Sequence, residues 1–162
     1  MEKILDKIPQ AFELALQTIF DETRLPLNGL STYTKPLPVF QLLASIGITG
    51  DLKGNLVIAA QAHVARSLAA QLCYTNGITL DSAGDEELAQ AAFAEFSNQI
   101  AGRAIMNLSP WNLDCNLTPP TIISGVNVSP DFSKQDKELV FQADWTGGQV
   151  YLIVAVSAKK SL

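Results

Sequence analysis

Two glycine-bearing turns, each set between apolar runs of strand length, constrain this chain more than any other feature of its sequence. Gly50-Asp51-Leu52-Lys53-Gly54 separates residues 40–49 from residues 54–61, and Thr146-Gly147-Gly148 separates Glu138–Trp145 from Gln149–Val156. Turns this short join antiparallel neighbours, because a parallel pair needs a crossover of a dozen or more residues. Within the second run, Asn55–Ala60 is apolar and carries Val57 and Ile58, which predicts a central strand. Leu117–Ile123 reads as extended but broken by Pro119-Pro120. Residues 30–39 read as extended and held to an edge by Pro36 and Pro38.

Helical spacing fills the intervals. Ile4, Ile8, Phe12, Ala15, Ile19 and Phe20 recur with helical period over residues 3–23, where Pro9 either kinks the helix or marks its true start, and Pro26, Asn28 and Gly29 end the segment. A shorter helix runs from His63 to about Tyr74 and closes at Asn76-Gly77. Asp81 or Ser82 introduces a long helix over 84–108, stopped by Pro110, with Glu86 and Glu87 complementing the dipole of its first turn. The order is helix, three strands, two helices, three strands. It predicts one α/β (α+β) domain over residues 1–162, with a mostly antiparallel sheet of about six strands and long helices on it. Ile48-Thr49-Gly50 followed by Leu56-Val57-Ile58 echoes Trp145-Thr146-Gly147 followed by Tyr151-Leu152-Ile153. Either an ancient duplication or the turn chemistry common to hairpins accounts for that echo.

Composition excludes several classes of function. With 48% apolar and 17% charged residues, the chain can bury a core, and its sparse charge hints at an oligomer interface. A net charge of −5 argues against a nucleic-acid partner. The longest apolar runs, such as Val150–Val156, are strand-sized, and Met1-Glu2-Lys3-Ile4 opens no signal peptide, so a cytoplasmic protein off the membrane is expected. Cys73 and Cys115 form no CxxC pair and read as reduced thiols. The Asn-x-Ser/Thr sequons at Asn107, Asn116 and Asn127 are assigned to chance. The lone His63 can build neither a zinc site nor a Ser-His-Asp triad, and GxSxG, Walker and GxGxxG motifs are absent. Catalysis would therefore rest on carboxylates, amides and the chemistry of a partner.

On a helical wheel at about 100° per residue, Leu88, Ala92, Phe93, Phe96, Ile100 and Ala104 of the long helix form the expected core arc. Glu95 and Asn98, three residues apart, are surface neighbours pointing away from most of that arc. Ala91 and Gly102 share their side, so the polar pair stands on a floor of small residues. Gly102 costs about 1 kcal/mol relative to alanine in a helix interior, which calls for close approach of a partner or of another backbone. Arg103 falls between Ala92 and Phe96, either snorkelling or marking a rotation of the arc. A Glu and an Asn at this spacing are commonplace on exposed helices.

The stretch Ala94-Glu95-Phe96-Ser97-Asn98-Gln99-Ile100-Ala101-Gly102 resembles the signature of the CheC/CheX/FliY phosphatases, Glu-x-x-Asn on a long helix, with the later glycine frequent in CheX members. Leu117-Thr118-Pro119-Pro120-Thr121-Ile122-Ile123-Ser124-Gly125 resembles the Thr-Pro-Pro-Thr segment of CheX-like domains. CheC members usually carry two such helical motifs. Here Glu13 is followed three residues on by Leu16, and no other Glu precedes an Asn at this spacing, which favours the CheX type. The resemblance implies a phosphatase for the aspartyl phosphate of a CheY-like receiver. Asn98 would position the attacking water and Glu95 would pair with the receiver's lysine. Mg²⁺ would belong to the receiver, Ala91 and Gly102 would form the docking face, and the chain would be a homodimer. Relatives often carry Ser or Asp where this chain has Ala91, which puts any auxiliary role of that position in doubt. The alternatives are a non-catalytic dimeric adaptor that binds a receiver, and a structural dimerisation domain.

Overall fold

Seven strands pair into one sheet in the computed structural model, which describes residues 2–34, 36–79, 86–130 and 134–159. The chain runs α1 (Glu2–Leu5), α2 (Ile8–Glu22), β1 (Leu27–Thr32), β2 (Phe40–Gly50), β3 (Leu52–Ala60), α3 (Ala62–Thr75), α4 (Glu86–Asn107), a 3₁₀ turn (Ser109–Trp111), β4 (Cys115–Leu117), β5 (Thr121–Val128), β6 (Lys137–Trp145) and β7 (Gly148–Ala158). The sheet order is β1-β6-β7-β3-β2-β4, with β5 also on β2, and every pairing is antiparallel. β4 pairs with residues 48–50 of β2 and β5 with residues 40–45, so the two share one edge position. The six strand positions expected thus hold seven strands. Pro119-Pro120 makes the break, because proline cannot donate to the ladder.

The β2–β3 connection is tighter than the five-residue turn expected. Gly50 adopts φ 103°, a left-handed conformation that glycine accepts readily, and a Cβ there would collide with the Asp114 carbonyl oxygen. β3 is central as expected, flanked by β2 and β7. β1 lies earlier than the extended segment expected at 30–39. Its ladder with β6 skips a residue between Leu27 and Gly29, so Asn28-Gly29 forms a bulge in an edge strand rather than a chain stop.

The two halves of the chain share a topology. A helix (α2), an edge strand (β1) and a hairpin (β2–β3) correspond to a helix (α4), an edge position (β4 and β5) and a hairpin (β6–β7), and exchanging them reverses the sheet order onto itself. The sequence echo falls on these equivalent hairpins. β3 and β7 meet at the centre, with Val57 opposite Ile153.

Alternation along the strands sorts side chains between two faces. Ile46, Leu56, Ile58, Leu152 and Val154 meet α2, α3 and α4 in the main core, while Phe40, Leu43, Val57, Tyr151 and Ile153 form a smaller cluster on the other face. Phe20 of α2 meets Phe96 of α4 edge to face, with ring centroids 5.4 Å apart. Pro9 marks the true start of α2, in its first turn. The helix ends in a Schellman motif: Arg24 N–H donates to the Asp21 carbonyl and Leu25 N–H to the Phe20 carbonyl, while Leu25 is buried. Arg24 holds φ 59° there, a conformation that costs an L-residue about 1–2 kcal/mol and that glycine usually supplies. The expected start of α4 at Asp81 or Ser82 lies outside the described residues. No helix among the described residues is long and apolar enough to cross a membrane.

Candidate functional site

The core face of α4 is rotated from the expected arc. Ala89, Phe93, Phe96, Ser97, Ile100, Ala101 and Ala104 are buried, whereas Leu88 is exposed and Ala92 only half-buried. Alanine and serine give this helix little amphipathic contrast, so its apolar pattern leaves the angle loosely defined. Ser97 is fully buried and compatible with the core because its hydroxyl donates to the Phe93 carbonyl at 2.8 Å. Arg103 neither snorkels nor joins the core. It reaches across to α2 and pairs with Glu22 at 3.0 Å.

Opposite this face stands a ridge. Ala91, Glu95 and Asn98 are exposed and Gly102 is half-buried. The structure therefore brings all four sequence-predicted residues onto one side of one helix. Glu95 Oε1 accepts a long hydrogen bond from Gln99 Nε2, at 3.4 Å, and among the described residues the Asn98 carboxamide has no protein partner. Both groups are free to meet a second molecule. Among the described residues a Cβ built at Gly102 meets nothing within 4 Å, so helix packing among them does not account for this glycine. What remains is an open step in the ridge one turn after Asn98.

Exposed apolar side chains at Leu88 and Met106 cap the two ends of the ridge. Beside Gly102 a broad hollow opens between the C-terminal ends of α2 and α3, with Glu22, Arg24, Tyr74, Arg103 and Met106 among its walls. No motif in the sequence marks this hollow. The one signal available was an arginine at a helix terminus where glycine would be expected, and it is legible only once the left-handed turn is seen. Both cysteines are free, Cys73 buried and Cys115 half-buried, and burial pushes the Cys115 thiol above its ordinary value.

The antiparallel sheet and helices that carry this ridge are shared with known proteins. The family model for chemotaxis phosphatase CheX matches residues 42–144. The CheY-P phosphatase CheX of Thermotoga maritima is 31% identical over 84 residues, which is 52% of each chain, so the match spans about half the length of that relative. The crystal structure of a chemotaxis protein CheX from Desulfovibrio desulfuricans superimposes with a TM-score of 0.77 at 15% identity, covering 93% of this chain and 99% of that one. A chain from the CheX–CheY–BeF3–Mg²⁺ complex of Borrelia burgdorferi gives a TM-score of 0.72 at 20% identity, covering 91% and 96%. The chain belongs to the CheX family.

Proposed function

We propose that this protein hydrolyses the aspartyl phosphate of a CheY-like receiver domain. The observation that carries the reading is the pairing of Glu95 with Asn98 on an unobstructed ridge whose next turn is the open Gly102. The named activity of the Thermotoga relative and the CheY partner of the Borrelia one support it.

Phosphoryl transfer passes through a loose transition state, so aligning the nucleophile and stabilising charge matter more than a strong base. A carboxamide both donates and accepts hydrogen bonds, so Asn98 can hold one water in line with phosphorus. The water oxygen bonds to phosphorus as the aspartyl oxygen leaves, and inorganic phosphate is released. Glu95 anchors the docking through the receiver's lysine, and the Mg²⁺ that neutralises the phosphoryl oxygens belongs to the receiver. Ala91 and Gly102 let the two surfaces close.

The test is decay of a CheY-type receiver labelled on its aspartate. Asn98→Ala should slow turnover about 100-fold with receiver binding retained, and Glu95→Ala should weaken binding. Unchanged hydrolysis by Asn98→Ala discards the catalytic role. Binding without accelerated decay in the unsubstituted protein returns the adaptor reading. The family resemblance and the charged fraction of 17% also support a homodimer, which light scattering at micromolar concentration tests.

A further inference from the structure

We infer that the hollow between the C-terminal ends of α2 and α3 is the second half of the receiver-docking surface, with Arg24 as its charge contact and Tyr74 and Met106 as its apolar contacts; this rests on the receiver-phosphatase reading above. The ridge cannot serve alone. From Ala91 to Met106 it is about 23 Å long at 1.5 Å per residue, and a helix about 10 Å across offers far less than the roughly 800 Å² per partner of a specific interface. The receiver must also cover a flank.

Three observations select this flank. First, the hollow is continuous with the ridge, since Gln99, Gly102 and Met106 of α4 form one of its walls. Second, Tyr74 is 70% exposed and Met106 65% exposed, two large apolar side chains that line the same hollow as Gly102. Tyrosine and methionine suit this place because both bury apolar area against varied surfaces. Third, Arg24 occupies the left-handed position at the end of α2. Glycine would relieve that conformation, so the arginine stands at the expense of local stability. Arg24 lines the hollow, is exposed, and has no side-chain partner among the described residues.

Charge names the occupant. The chain carries a net −5, yet it places an unpaired cation beside its candidate site. A receiver is anionic at the matching place, because it holds a phosphoryl group and the carboxylates that bind a divalent cation. Arg24 meets the rim of that anionic pocket while Asn98 reaches its centre. Steering of this kind raises the rate of encounter and is weakened by salt.

The experiment measures hydrolysis of a CheY-type receiver, phosphorylated with acetyl phosphate, across receiver concentrations at low and high salt. Arg24→Gly should raise KM about threefold at low salt, with kcat unchanged and the difference closing at high salt. The same variant should melt at a higher temperature, so misfolding cannot produce the loss. Arg24→Lys should retain most of the wild-type KM at low salt. Tyr74→Ser combined with Met106→Gln should raise KM about tenfold at constant kcat. Full hydrolysis with KM unmoved in Arg24→Gly and in the double variant overturns the docking surface alone. A change in the oligomeric state of those variants, with KM unmoved, assigns the hollow to a second copy of this chain and likewise overturns it. No accelerated decay by the unsubstituted protein overturns the phosphatase reading and the docking surface with it.

Discussion

Helices α2 and α4 occupy equivalent places in the two halves of the fold, yet only one carries a candidate site. α2 buries Ile8, Phe12, Leu16, Ile19 and Phe20, large side chains that tie it firmly to the sheet. α4 buries two phenylalanines and one isoleucine among Ala89, Ser97, Ala101 and Ala104. The contrast is sharpest three residues after a glutamate. In α2, Leu16 follows Glu13 and is 1% exposed, whereas in α4 Asn98 follows Glu95 and faces outward. The same sequence spacing therefore places its second residue in the core of one helix and on the surface of the other. Rotation about the helix axis, not spacing, decides whether such a pair can reach another molecule.

Exchanging the two residues should break the comparison in opposite ways. Leu16→Asn completes a Glu-x-x-Asn in α2 but buries an amide and leaves a cavity. A loss of about 4 kcal/mol is expected, readable as a fall in Tm of about 10 °C, with no second active site gained. Asn98→Leu gives α4 the residue of α2 at an exposed position. Stability should hold within about 0.5 kcal/mol, while dephosphorylation of the receiver falls about 100-fold. Gly102→Ala should stabilise by about 1 kcal/mol in denaturant melts, since no described residue contacts the added methyl, and should weaken receiver docking. Ser97→Ala removes the buried hydroxyl and its bond to the preceding turn. Back-bonding of this kind contributes little to a helix, so a change within about 0.5 kcal/mol is expected by the same melts.

Hairpins and the polar pair were legible in the sequence because each depends on local rules. Thr146-Gly147 turns β6 into β7, and the three-residue spacing brings Glu95 beside Asn98 whatever the rest of the chain does. Features set by long-range contact were not legible. Asn28-Gly29 looks like a terminator but becomes a bulge because β6 pairs with its flanking residues. Leu88 and Ala92 looked like core because leucine and alanine are apolar, yet the core side of α4 faces α2 and the sheet through Ala101 and Ala104 instead. The sequence leaves Arg103 ambiguous because its partner, Glu22, lies 81 residues earlier. The hollow around Arg24, Tyr74 and Met106 assembles from three helices and exists only after they meet.

The exchange of edge strands has a consequence for how this molecule comes apart. β1 of the first half is hydrogen-bonded to β6 of the second, and β5 of the second half to β2 of the first. Each portion thus finishes a border that belongs to its twin. Severing the connection between residues 79 and 86 would liberate no self-sufficient lobe, since either piece alone would display an unfinished margin on its hairpin. Loss of order anywhere in the sheet is shared by both portions, including the one that bears Asn98.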